Sequence, residues 1–122
     1  VTAAQEAWAR CRHHIVAALQ TAPGCETIED VEACIADGSY IFFAGERSAF
    51  IAEVVHFKRK TAFFIHHGGG DLDELVNMEP KIVHLAKELG CDLVMGSGRE
   101  GWKRVFQKHG YRLAWIVMVK EL

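Results

Sequence analysis

Apolar residues in this chain recur at helical spacing in some stretches and alternate or cluster in strand-like runs in others, and the two patterns divide it. Trp8, Cys11, Ile15 and Leu19 fall three to four apart behind Thr2 and Gln5, a pair that suits a capping box. This predicts a first helix ending near Thr21, because Pro23-Gly24 cannot continue it. Thr27 is placed as the N-cap of a shorter helix with Ile28, Val31 and Ile35 as its buried stripe and Gly38 as its stop. Tyr40–Ala44, Ala49–Phe57 and Thr61–Ile65 read as strands separated by the turns Gly45-Glu46-Arg47 and Lys58-Arg59-Lys60, which makes an antiparallel meander. In the middle strand Ile51, Glu53, Val55 and Phe57 share one face, and Phe50, Ala52, Val54 and His56 the other.

Beyond Gly68-Gly69-Gly70, Asp71 is an N-cap candidate followed by Leu72, Leu75 and Val76 at helical spacing. Pro80 is awkward inside one long helix. It fits better at the first position of a helix starting near Glu79, with a short turn before it, than at a kink. Ile82, Leu85, Ala86 and Leu89 form that helix's stripe, and Gly90 ends it. Cys91–Met95 then reads as a strand, Gly96-Ser97-Gly98-Arg99 as a turn, Glu100–His109 as an amphipathic helix and Tyr111–Val119 as a long closing strand. The crossover from the third strand through a helix to Cys91–Met95 predicts parallel neighbours. The expected fold class is α+β, in the order ααβββαβαβ: a mixed, mostly antiparallel sheet flanked by helices, within a single domain over 1–122.

With 122 residues, half of them apolar, one core can form, and the charged fraction argues against disorder. No apolar run approaches the roughly 20 residues that cross a bilayer, and charged residues interrupt any signal-like stretch at the N-terminus. The expectation is a soluble, cytoplasmic protein without membrane contact. Cys11, Cys25, Cys34 and Cys91 form no C-x-x-C pair, so they are expected to be free thiols, mostly buried, and not a zinc site. The net charge of −2 conceals an asymmetry, because the basic Arg99, Lys103, Arg104, Lys108, Arg112 and Lys120 crowd the C-terminal end. Arg99, Lys103, Arg104 and Lys108 on the outside of the last helix are candidates for contact with an acidic partner or, with salt-sensitive affinity, a nucleic acid; the plain reading is a solvated helix face.

The closing run Val105-Phe106-Gln107-Lys108-His109-Gly110-Tyr111 resembles the aromatic-Tyr-x-Lys-x-Gly-Phe signature of the GNAT acyltransferase family, and the order of elements resembles that family over nearly the whole chain. The resemblance implies transfer of an acyl group from acyl-CoA to an amine. It also implies that the CoA pyrophosphate rests on backbone N–H groups of the loop after the third meander strand, here His66, His67, Gly68, Gly69, Gly70 and Asp71. A helix N-terminus has the unpaired donors for that task. The family's Gln/Arg-x-x-Gly-x-Gly/Ala loop pattern is absent, however, and Asp71, Asp73 and Glu74 would compete with a phosphate. Phe106 stands where the family's tyrosine general acid would be, and a phenyl ring has no proton to give.

Glu53, His56 and His66 are candidate general bases: burial among apolar neighbours would raise Glu53, and imidazoles titrate near neutrality. The plainer readings pair Glu53 with an arginine or expose it, and make His66 and His67 polar residues at a strand end. A metal shared by His66, His67 and Asp71 is disfavoured because adjacent strand residues point to opposite faces. His13-His14, about 100° apart on a helix, look incidental.

Three functions follow. The first is a divergent GNAT-like binding or structural module with a degenerate cofactor loop and no cofactor, joined to a protein partner, a virion component or a second copy. The run Gly68–Leu75 followed by Gly98–Val105 is similar to small GNAT-like proteins of bacteriophages and prophages, some of them virion components, so a host-cytoplasm or virion location is expected for it. The second is an active N-acyltransferase using acetyl-CoA. The third is a weak nucleic-acid or acidic-partner binder acting through the last helix.

Overall fold

The computed structural model describes residues 1–122. Helix α1 (Ala3–Gln20) starts at the Thr2–Gln5 capping box, in which each side chain takes the other's backbone N–H. Helix α2 (Ile28–Ala36) starts at a second box between Thr27 and Asp30. Strands β1 (Ile41–Ala44), β2 (Ser48–His56) and β3 (Thr61–Gly70) form the antiparallel meander. A six-residue helix α3 (Leu72–Asn77) stands where a short turn is expected, and α4 (Glu79–Glu88) follows with Pro80 in its first turn. Strand β4 (Leu93–Gly96) lies parallel to β3, as the crossover requires, and α5 (Gly101–Gln107) is the last regular element.

The sheet order is β1-β2-β3-β4, and its two faces bury separate cores. Ala49 and Ile51 of β2 pack with Cys11, Ile15 and Val31 of α1 and α2. Phe50, Ala52 and Phe63 pack on the other side with Leu75, Ile82 and Ala86 of α3 and α4, with Trp102 of α5 laid against them. The alternation predicted for β2 therefore holds. The four cysteines are free, but only Cys11 is buried. No helix is long and apolar enough to cross a membrane.

Two expectations fail. His66 to Gly70 are not a loop: β3 runs on through them, pairing Gly68 with Phe50, Gly69 with Ala49 and Gly70 with Ser48. The glycines serve closeness. A methyl on Gly69 would lie 3.0 Å from the His14 carbonyl oxygen of α1, so their absent side chains let the helix cross directly on the sheet. The second failure is the closing strand. Residues 112–122 join no sheet, no backbone hydrogen bond ties them to the body, and their large apolar side chains are exposed. The chain is held as far as Tyr111, whose hydroxyl donates to Glu79 Oε1 (3.1 Å) and whose ring meets Phe106 edge-on.

Candidate functional site

A polar cluster sits on the face of the sheet that α1 and α2 cover, and a β-bulge creates it. Ile51 pairs with His67 and Ala52 with Ile65, so His66 is an extra residue in β3 with no partner opposite. Strand alternation would send His66 and His67 to opposite faces. The bulge resets the alternation, and both imidazoles emerge on one side with ring centroids 6.2 Å apart. The same reset turns Gly68 towards the α3–α5 face and Gly69 towards α1.

Two carboxylates hold the rings. His66 Nε2 donates to Glu53 Oε1 at 2.6 Å, and His67 Nε2 donates to Glu26 Oε1 at 2.5 Å. The carboxylates can only accept, which assigns the Nε2 protons; in a neutral ring Nδ1 is then the acceptor. The other oxygen of Glu26 takes the Tyr40 hydroxyl at 2.9 Å. Burial, then the Glu26 carboxylate, pushes that phenol above its ordinary range, so Tyr40 stays protonated and donating. Phe64 stacks on His66 at 4.8 Å and Tyr40 lies 5.8 Å from it. Strand β4 ends beside the bulge: Ser97 N–H donates to the Ile65 carbonyl (3.0 Å), and Ser97 Oγ reaches that of His66 (3.4 Å). An imidazole oriented by a carboxylate, with its second nitrogen free, can take a proton from an amine or hydroxyl.

The candidates named from the sequence divide accordingly. Glu53 and His66 meet, and the partner of Glu53 is a histidine, not an arginine. His56 is exposed at the end of β2, alternates away from Glu53, and its Nδ1 lies 3.2 Å from Thr61 Oγ1. Glu26, Tyr40 and Ser97 carry no local signal for this cluster; Glu26 is a single residue between two helices. His13 and His14 are closer than their helical angle suggests, with ring centroids 3.9 Å apart. Burial, then His13, lowers the pKa of His14.

The residues expected to hold a pyrophosphate are otherwise engaged. Trp102 lies over the end of the sheet, 2.6 Å from where a methyl of Gly68 would be and 3.1 Å from that of Gly98. Asp71 caps α3 by accepting the Glu74 N–H, and its own N–H donates to the Arg47 carbonyl. Glu74 turns back to accept from the Arg47 N–H (2.9 Å) and from the hydroxyl of the fully buried Ser48. Arg47 also pairs with Asp71 (3.3 Å) and Glu74 (3.5 Å). The first turn of α3 thus presents carboxylates beside its donors, and the Glu74 N–H is already taken.

That knot sets an acid limit. The Ser48 hydroxyl, then the Arg47 N–H, hold Glu74 below its ordinary 4.5, and the Glu74 N–H, then Arg47, hold Asp71 below 3.8. A carboxyl depressed by folding contributes stability that is fully present above its unfolded pKa and lost as pH falls through the folded one. The urea midpoint should therefore decline as pH drops below about 4.5. Glu74→Gln should shallow that decline, leaving the share from Asp71 and from Glu32 and Asp37, which are depressed too. An unchanged acid limb in Glu74→Gln would contradict this assignment.

Arg99, Lys103, Arg104 and Lys108, on and flanking the last helix, are all exposed, while Trp102, Val105 and Phe106 form its inner stripe. The surface hollows over Trp8, Glu32, Ile35 and Ala36, and along Glu100, Lys103, Arg104 and Gln107, lie apart from the histidine cluster.

No protein-family model and no curated protein sequence matches this chain. Solved structures do match in fold. Glucosamine-6-phosphate N-acetyltransferase from Arabidopsis thaliana is similar over 90% of each chain at 19% identity, with a TM-score of 0.64. A tetramutant of the BH1408 protein from Bacillus halodurans is similar over 99% of this chain and 97% of its own at 12% identity, TM-score 0.69. A predicted acetyltransferase from Clostridium acetobutylicum, solved with acetyl-CoA, is similar over 75% of this chain and 71% of its own at 11% identity, TM-score 0.60. The chain has a GNAT-like fold.

Proposed function

We propose that this chain is a divergent GNAT-fold module that acts by binding a protein partner and does not transfer acyl groups. The observation that carries this reading is the occupied crevice: Trp102 covers Gly68 and Gly98, Asp71 takes the Glu74 N–H in the first turn of α3, and the Glu74 carboxylate is turned onto the Arg47 N–H and the Ser48 hydroxyl. A pyrophosphate entering there would meet an indole ring and two carboxylates. Phe106 in place of a phenol supports the same reading. The exposed Arg99, Lys103, Arg104 and Lys108 suit an acidic partner surface. The resemblance expected from the sequence between Gly68–Leu75 and Gly98–Val105 and bacteriophage GNAT-like proteins would make the module a virion-associated one.

A thermal-shift titration with acetyl-CoA and with CoA, backed by calorimetry, tests this. A ligand at 100 times its dissociation constant stabilises a fold by about 2.7 kcal/mol, so even weak binding is visible. The expected result is no saturable shift at millimolar CoA.

The Glu53–His66 pair favours a second reading, an N-acyltransferase in which Glu53 orients His66 to take the proton of an acceptor amine. The acetyl-CoA bound to the Clostridium acetobutylicum protein makes the same ligand plausible here. Saturable stabilisation by acetyl-CoA would select this reading. Glu53→Gln and His66→Gln should then each lower turnover by roughly 10²–10⁴-fold.

A further inference from the structure

We propose that the segment beyond Tyr111 is a donated strand: two copies of this chain exchange it, each laying its own along the open edge of the other's β4. Two unsatisfied features of one molecule point to this. Strand β4 hydrogen-bonds only to β3, so its outer edge presents free backbone N–H and C=O groups, with Leu93 37% exposed beside them. Residues 112–122, meanwhile, hold the most strand-prone apolar run in the chain and leave it in solvent. Ile116, Val117 and Met118 are 75%, 76% and 89% exposed, and Leu113, Trp115 and Val119 more than half. An edge lacking a strand and a strand lacking an edge are complementary.

The segment leaves the body at Tyr111. Gly110, at φ +88°, ends the last helical turn, and Tyr111 is fixed to Phe106 and Glu79. The hydrogen bonds stop there, and the following residues, up to roughly 35 Å when extended, can span to a neighbour. Under two-fold symmetry a donated strand is returned by the same contact, so both edges close and growth stops at two.

The area is sufficient. Each large apolar side chain removes roughly 60–120 Å² from water when covered, judged by the usual transfer coefficient. Six per chain, with the receiving edge and the second chain's equal share, bring the total to roughly 1,000 Å² or more, within reach of a stable dimer. A second copy is the occupant favoured because it supplies both halves in equal number, while the segment makes no hydrogen bond to its own β4. This inference stands whether or not the crevice takes acyl-CoA, and the two are read by different experiments.

Light scattering behind size exclusion on the full chain should give twice the 13.6 kDa chain mass. Hydrogen exchange should find the amides of residues 113–119 and of β4 protected together. Val117→Pro removes a ladder N–H from the donor without touching either core, and should yield a monomer with native circular dichroism and both segments exchanging freely. Ile116→Lys should weaken the dimer in the same direction. A monomeric wild-type chain would overturn the proposal, whether the segment is then free or protected on its own β4. So would a dimer whose mass and protection ignore Val117→Pro, since another surface would hold it together.

Discussion

Gly70→Ala should destabilise this protein far more than alanine at any other glycine of positive φ. The added methyl would lie 2.3 Å from the Arg47 carbonyl oxygen and 2.7 Å from Ser48 Cα, both backbone atoms that cannot swing aside. Gly70 also adopts φ +103°, a conformation that side-chain-bearing residues rarely enter. Strain at such a backbone position and overpacking each cost about 1–3 kcal/mol, so a combined loss of about 3–5 kcal/mol is expected. Gly38→Ala is the control. Its φ is +84° but nothing lies within 4 Å of the new methyl, so only the backbone term applies, about 1 kcal/mol. Urea unfolding of both variants separates the two effects. Equal midpoints would show that the close approach of β3 to Arg47 and Ser48 does not constrain the fold.

Phe63→Ala should cost about 3–5 kcal/mol, the usual range for deleting a large ring from a closed core. Phe63 is wholly buried between the sheet and the α3–α4 layer, edge-on to Phe43 at 6.4 Å, with Phe43 stacked on Phe50 at 4.9 Å. The adjacent Phe64 faces the other way, half-buried against His66. Phe64→Ala should cost less in stability and should instead loosen the His66 ring. Its effect on stability and its effect on the His66 resonances by NMR should therefore separate. Comparable destabilisation by the two substitutions would contradict the assignment of faces.

Local pattern was enough for most of the scaffold. The Thr2–Gln5 capping box, the Thr27 cap, the split of β2 into two faces, the helix start at Glu79 and the parallel pairing of β3 with β4 follow from spacing, cap chemistry and connection length. Each of these is decided by residues a few positions apart. Gly68-Gly69-Gly70 lies beyond that reach. Glycine carries no side-chain pattern, so its assignment to β3 depends on Ser48, Ala49 and Phe50 opposite and on the backbone of α1 crossing at His14.

The histidine cluster divides in the same way. Glu53, His66 and His67 are visible in the sequence as ionisable residues in an apolar strand context. That His66 and His67 face one side is not, because a bulge is a mismatch between two strands and neither strand alone encodes it. Glu26 and Tyr40 enter the site only because the α1–α2 connection and β1 close over it. The end of the chain is the opposite case: Leu113 to Val119 has the composition of a strand, yet a strand forms only against an edge. Amino-acid order therefore determined where most of the helices and strands lie and which of their faces are apolar. Pairing register, the bulge and the partner of each carboxylate were decided by tertiary structure, because hydrogen bonds between distant strands and helices are properties of two segments at once.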